Sequence, residues 1–296
     1  MDFDRLIAAK DLTPKQAAGF SFWAQPLAEA LRQDAKEHMR PLIVALAGPP
    51  CSSKALFADF LAKALGDSGC PALHVRVRDF RLSKHARERL CETVHPLFAY
   101  PGQLGTHDTG ELERVLLALR ANSLTQPLHI PSFDRAYDVR HAFSKWTVVN
   151  TLPRVVLVSG WTLGAVAQED VALNQPVNDL ERERDPDQKW RRATNNMARD
   201  HYQPLYGLFD RWVYSKPPSW DAVCQWNQRD HEVWIKRMSD RGVQLSDEQR
   251  QGGEIFSQLS QRFALESVAR LSRKSDYVFT LDADRRITSF ARTRND

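Results

Sequence analysis

The sequence predicts an α/β protein with a doubly wound, mostly parallel sheet flanked by helices. A helical N-terminal lead-in over residues 1–39 precedes one main domain over 40–296. Two observations carry this. Short apolar runs alternate along the chain with segments whose apolar residues recur at helical spacing. In addition, Arg154-Val-Val-Leu-Val-Ser-Gly160 is a continuous apolar run, as a strand covered on both faces requires. At 296 residues the chain can form one large domain or two smaller ones, and no repeat, low-complexity tract or linker forces a second.

Taken in order, Thr13-Pro14 opens a helix striped by Phe20, Trp23, Leu27, Ala28 and Leu31. Leu42 to Ala47 is the first strand, ending at Gly48. Leu56, Phe57, Phe60, Leu61 and Leu65 then stripe a helix from Lys54 to about Gly66. His74 to Phe80 alternates apolar and polar residues and reads as the second strand. An Arg-rich connection leads to Gly105-Thr-His-Asp108, which opens a helix at about 109–121 with Asp108 or Thr109 as its N-cap. Leu128 to Asp134 reads as a short strand leading to a loop, 178–202 as polar and helical, and Phe209 to Tyr214 as a strand. Pro217-Pro218-Ser219 begins a long helix to about Arg237. A further helix covers about 254–274, and Tyr277 to Asp282 is the last strand.

Composition narrows the function classes. No apolar run approaches the ~20 residues of a membrane span. The opening Met-Asp-Phe-Asp-Arg lacks the basic and apolar regions of a signal peptide, so a cytoplasmic location is expected. A net charge of +4 is too mild to imply general affinity for nucleic acid or membranes. The Arg-rich 181–199 region is interrupted by Glu181, Glu183, Asp185 and Asp187, which argues against nucleic-acid binding there. Cys51, Cys70, Cys91 and Cys224 show no paired spacing and suit reduced thiols.

The strand–loop–helix from Leu42 to Phe57 places Gly48 and Lys54 as in G-x-x-x-x-G-K-[ST], the spacing of a phosphate-binding loop. In such a loop, glycines let successive N–H groups turn toward a phosphate. The helix N-terminus adds positive partial charge, and the lysine contacts the outer phosphates. Gly48, Cys51, Ser52, Ser53, Lys54 and Ala55 are therefore the candidate residues for ATP or another phosphate ligand. Ser53 stands where the second glycine belongs, at a cost of roughly 1–2 kcal/mol if it takes positive φ. Ala55 stands where a hydroxyl would ligate Mg²⁺. An ordinary βα turn holding a lysine is the other reading. The loop amides and helix N-terminus are of the kind that lower a Cys51 thiol pKa, whereas a plain small loop residue needs no such effect.

Several stretches together resemble the P-loop small-molecule kinases of the phosphoribulokinase/uridine kinase/pantothenate kinase group, and most closely its glycerate 3-kinase-like branch. They are Gly48 to Lys54, Asp79-Phe80, Gly105-Thr-His-Asp108, Pro131-Ser-Phe-Asp-Arg135, Gly160-Trp-Thr-Leu-Gly164, Trp220 to Trp226, and Tyr277 to Arg286. The resemblance implies a P-loop NTPase-like fold and ATP-dependent phosphorylation of a small hydroxylated molecule such as glycerate. It also implies an acceptor side of the cleft that includes His107, Asp108 and Asp134. The last two equally suit a helix cap and an Asx turn.

The working positions depart from that pattern. Where the family reads Asp-Asp-Phe-Tyr after the second strand, with the first carboxylate as general base, this chain reads Arg78-Asp79-Phe80-Arg81. Arginine cannot take that proton. The family's Glu-Gly at the end of the strand at 154–159 becomes Ser159-Gly160, which supplies no charge for Mg²⁺. Asn227 replaces a lid arginine, with Arg229, Lys236 and Arg237 nearby either as substitutes or as a solvated helix face. Asp79 reads as a strand-end carboxylate held by local arginines, or with Asp134 as a catalytic group if the protein is an active kinase. Lys54, Arg76, Arg78 and Arg81 make the site net positive, able to hold an anion without metal. Alternatively, these arginines pair with Asp79, Glu88, Glu92 and other acids on the surface. The expectation is a pseudokinase that binds a nucleotide, an anionic metabolite or a protein partner. An active kinase is the alternative.

Overall fold

The computed structural model describes residues 14–293, so the first thirteen residues of the expected lead-in lie outside the described residues. The chain runs α1 (Pro14–Lys36), β1 (Leu42–Ala47), α2 (Lys54–Asp67), β2 (Ala72–Arg76), α3 (Lys84–Thr93) and α4 (Thr109–Leu119). It continues through the short strands β3 (Leu128–Ile130), β4 (Phe133–Asp134), β5 (Val139–Arg140) and β6 (Thr147–Val149) to β7 (Val155–Ser159). Then follow α5 (Asp170–Leu173), α6 (Asp179–Arg184), α7 (Lys189–Met197), β8 (Arg211–Lys216), α8 (Trp220–Asp240), α9 (Asp247–Lys274), β9 (Tyr277–Leu281) and β10 (Ile287–Arg292).

Six strands form the central sheet in the order β10-β9-β8-β1-β7-β2, parallel except for β10. β1 and β7 are buried throughout because helices cover both faces. The pleat sorts their side chains. Leu42, Val44, Leu46, Val155 and Leu157 join α1 and α2 in one core. Ile43, Ala45, Val156 and Val158 join α4 and Leu271 of α9 in the other. This is the doubly wound α/β architecture expected.

Four boundaries differ from the sequence reading. The second strand stops at Arg76, and Val77–Phe80 is a 3₁₀ turn instead. The strand expected over 128–134 divides at Pro131-Ser132 into β3 and β4, neither in the central sheet. α9 begins at Asp247, seven residues before the expected start at 254, because Ser246 and Gln249 form a capping box. Tyr277–Leu281 is not the last strand. The turn after it reverses the chain into β10, an antiparallel edge strand whose mixed polarity hides it in the sequence.

Candidate active-site cleft

A cleft of about 1070 Å³ opens at the carboxyl ends of β1, β2 and β7 and is roofed by α8 and the start of α9. Parallel sheets place ligands at this edge, where successive connections leave a strand in opposite directions. Register explains the convergence: Leu46 and Arg76 both lie opposite Ser159, so the turns after all three strands start at one level.

The first wall is the loop after β1. Gly48 has φ 154°, and a Cβ there would meet Ser52 Oγ at 2.9 Å and the Ser215 carbonyl at 3.0 Å. Cys51 and Ser53 adopt φ 57° and 56°, so Ser53 takes the left-handed conformation for which a glycine is expected. Ser53 is the N-cap of α2 but its side chain makes no capping bond, leaving first-turn amides of the helix open. Ser52 Oγ is buried with no hydrogen-bond partner among the described residues. Lys54 Nζ, also buried, donates to the Pro49 carbonyl at 2.8 Å. Burial lowers its pKa to about 8, with Cys51 opposing and Arg78 adding to the effect. Of the two readings of Cys51 the plain loop residue fits, because burial outweighs the nearby cations and pushes the thiol pKa up to about 12.

The facing wall is arginine-rich. Arg78 lies on the 3₁₀ turn rather than a strand, so pleat alternation does not separate it from Asp79. It lines the cleft and makes no hydrogen bond or ion pair with any described residue. The Arg81 guanidinium packs 5.7 Å above the Phe133 ring, and its buried Nε has no hydrogen-bond partner among the described residues. Arg135 stacks 4.2 Å from the Trp234 ring centroid and, like Arg229, lines the cleft without a carboxylate partner among the described residues. The pairing alternative therefore fails for Arg78 and Arg81. Arg76 does pair with an acid, Asp59, so the alternative holds for that residue. Asp79 accepts the Phe133 backbone N–H, and burial raises its pKa.

The cleft's own carboxylates are each engaged, two of them with Arg285 and Arg286 of the cleft itself. Asp138 pairs with Arg87, Asp230 with Arg285 at 2.7 Å, and Asp284 with Arg286 at 3.2 Å. Glu248, in the first turn of α9, is held charged by a backbone N–H and Ser246. Ser159 Oγ lies 2.8 Å from His74 Nε2, and His74 Nδ1 lies 2.7 Å from Asp59 Oδ1. With Ala55 offering only a methyl and Ser159 bonded to His74, this donor set does not fit Mg²⁺, which favours carboxylate oxygens. A phosphate group fits better, given the open amides, the orphaned Ser52 hydroxyl and Lys54.

The remaining candidates divide between the cleft and its frame. His107 lines the cleft and stays neutral, its pKa drawn down to about 3 by burial and Arg81. Tyr202 Oη accepts the Gly105 N–H and lies 2.8 Å from His107 Nδ1, so the tyrosine proton goes to Nδ1 and His107 keeps its own on Nε2. Asp108 caps α4 through the Glu111 N–H and pairs with Arg140 at 3.0 Å. Asp134 accepts the Ala136 N–H in an Asx turn. Gly48, Asp79, Asp108 and Asp134 are not among the residues lining the cleft. Asn227, at the lid-arginine position, donates through Nδ2 to the Gly253 carbonyl and, at 2.8 Å, to Ser257 Oγ; its Oδ1 accepts from Cys51 Sγ at 3.3 Å. It ties α8 to α9 and to the loop. The sequence reading passed over Asp59, Arg135 and the link from His74 to Ser159. Only strand register and the α2 face bring the first and last together.

The arginines of 181–199 form no free basic stripe. Arg191 is buried against Asp185, and Arg182 pairs with Asp179. No helix among the described residues is long and apolar enough to cross a membrane.

No family model and no curated protein sequence matches the chain. Solved structures do. D-glycerate 3-kinase from Cryptococcus neoformans var. grubii superposes with a TM-score of 0.72 at 19% identity, covering 92% of this chain and 99% of that one. The YGR205w protein gives 0.63 at 18%, covering 89% and 94%. A candidate fructose transport system kinase from Silicibacter sp. TM1040 gives 0.55 at 20%, covering 83% and 94%. The fold is that of the P-loop kinases, as the sequence resemblance implied.

Proposed function

We propose that this protein binds a nucleotide or another phosphorylated anion in the cleft through its loop amides, Lys54 and the facing arginines, without requiring Mg²⁺, and that it is not an ordinary metal-dependent kinase. The observation that carries the reading is the charge arrangement: Arg78, Arg81, Arg135 and Arg229 line the cleft without carboxylate partners among the described residues, while each lining acid is engaged. Unpaired guanidinium groups facing a nest of amides suit a polyanion. Phosphoryl transfer needs a group to take the acceptor proton and charge to stabilise the phosphates. Arg78 cannot supply the first.

A specific observation favours the second reading, an active ATP-dependent kinase acting on a small hydroxylated molecule such as glycerate. Ser53 takes the left-handed backbone conformation expected of the motif's glycine, and the similar structures include a D-glycerate 3-kinase. Calorimetric titration with ATP, ADP and pyrophosphate, each with Mg²⁺ and with EDTA, separates the two. Metal-free binding that raises the melting temperature by mass action supports the proposal. Binding lost in EDTA, together with Mg²⁺-dependent ATP consumption on adding glycerate, replaces it with the kinase. No binding to any of the three overturns both.

A further inference from the structure

The pleat that builds the two cores also aligns three polar side chains. On β7, Ser159 falls on the face of Val155 and Leu157, which is covered by α1 and α2. On β2, Val75 belongs to the opposite core, so His74 and Arg76 point to the same face as Ser159. Asp59 reaches this point from α2. The resulting chain runs Asp59 Oδ1 to His74 Nδ1 at 2.7 Å and His74 Nε2 to Ser159 Oγ at 2.8 Å.

We propose that Ser159, His74 and Asp59 form a hydrolytic triad on the cleft floor, acting on a carboxylic ester that carries an anionic group. Asp59 Oδ1 accepts a hydrogen bond from Nδ1–H and fixes the tautomer, so the lone pair of Nε2 faces the serine hydroxyl. Asp59 is thus a positioning residue, His74 the base and Ser159 the nucleophile. Arg76 also pairs with Asp59 at 2.5 Å. The side chains of His74 and Asp59 are only 6% and 9% exposed, while Ser159 lines the cleft. Burial, partly opposed by Asp59 and reinforced by Arg76 and Arg78, lowers the His74 pKa to about 4, so the ring is a neutral base at pH 7.

In the first step Ser159 Oγ forms a bond to the ester carbonyl carbon while its proton moves to His74 Nε2. The carbon–alkoxide bond then breaks as the imidazolium returns that proton to the leaving oxygen. Water attacks the acyl-serine, again delivering a proton to Nε2. Collapse of this adduct releases the carboxylic acid and restores the Ser159 hydroxyl. Ester and water become acid and alcohol. The open first-turn amides of α2 supply donors on the same cleft, and the unpaired arginines select the anionic group. Only that selectivity rests on the anion-binding reading above.

An uncharged alkyl fluorophosphonate tests the triad directly: Oγ–P forms, P–F breaks, fluoride leaves and the serine proton passes to His74. Peptide mass spectrometry of the native protein is expected to place the adduct on Ser159, with none after heat denaturation. The rate should fall about 100-fold or more in His74→Gln and stay level from pH 8 to pH 5, since burial, reinforced by Arg76 and Arg78, outweighs the facing Asp59 and holds the His74 pKa near 4, with the neutral Ser159 hydroxyl its other neighbour. Absence of an adduct at Ser159, or equal labelling of native and denatured wild-type protein, overturns the triad. This comparison decides the matter even if His74→Gln fails to fold. Hydrolysis of 4-acetoxybenzoate is then compared with that of phenyl acetate. A kcat/KM about tenfold higher for the anionic ester, about 1.4 kcal/mol, is expected; equal values overturn the anionic selectivity alone.

Discussion

The two walls of the cleft treat departures from the kinase pattern in opposite ways. The loop after β1 has Ser53 where the pattern has a glycine and still takes the left-handed backbone, because a non-glycine residue can be held at φ 56°. On the other side the departures fall on side chains, and there the charge and the contacts change with the residue. Arg78 puts a cation where a base is needed, and Asn227 becomes a buried tie between helices. A backbone conformation tolerates substitution more readily than a side-chain charge does.

The largest expected effect comes from removing the one side chain of the loop wall that carries charge. Lys54→Met should weaken pyrophosphate binding roughly 100-fold, about 2.7 kcal/mol, by calorimetry. It should also raise the melting temperature of the ligand-free protein, because Lys54 is buried and its charge is disfavoured there. Unchanged affinity would mean that backbone alone holds the anion.

Asn227 tests whether the opposite wall has become structural. Asn227→Ala leaves the Gly253 carbonyl and the Ser257 hydroxyl without their donor, and the Cys51 thiol without its acceptor. A loss of about 2 kcal/mol of stability is expected in chemical denaturation. A neutral result would return Asn227 to a ligand-binding role.

Much of this contrast was legible in the sequence. Apolar runs and helical stripes located β1, α2 and β7, since burial on two faces leaves a compositional mark. The missing acids at Arg78 and Ser159 were visible as departures from a motif. The partners of Ser159 were not, because Asp59, His74 and Ser159 come from three elements and meet only through sheet register and helix packing. Neither were the ends of β2 and the start of α9 legible, since a 3₁₀ turn and a capping box shift boundaries without altering hydrophobic pattern.

Proton linkage separates the walls again, because the arginines stay charged where a lysine does not. Lys54 has a folded pKa lowered from 10.5 to about 8. Between those values the unfolded chain binds more protons than the folded one, so the stability of the ligand-free protein contributed by this group rises with pH through that window. Anion binding needs the charged lysine and should move the other way, weakening about tenfold between pH 7 and pH 9. Titrations at both pH values check it. A pH-independent affinity would shift the binding energy to the arginine wall.

The smallest effect bears most directly on why the loop tolerates its serine. Ser53 makes no capping bond, so its hydroxyl has no visible return for the left-handed backbone it occupies. Relief of that conformation by Ser53→Gly is worth roughly 1–2 kcal/mol. The added freedom of glycine in the unfolded chain opposes it by about 0.4–1 kcal/mol. Relief wins by a narrow margin, so the variant should melt slightly higher, by about 2 °C per kcal/mol gained. Its anion affinity should be unchanged, because the amides keep their directions. A lower melting temperature would show that the hydroxyl bonds within the loop after all, and that the shape of this wall depends on a side chain as much as the other wall does.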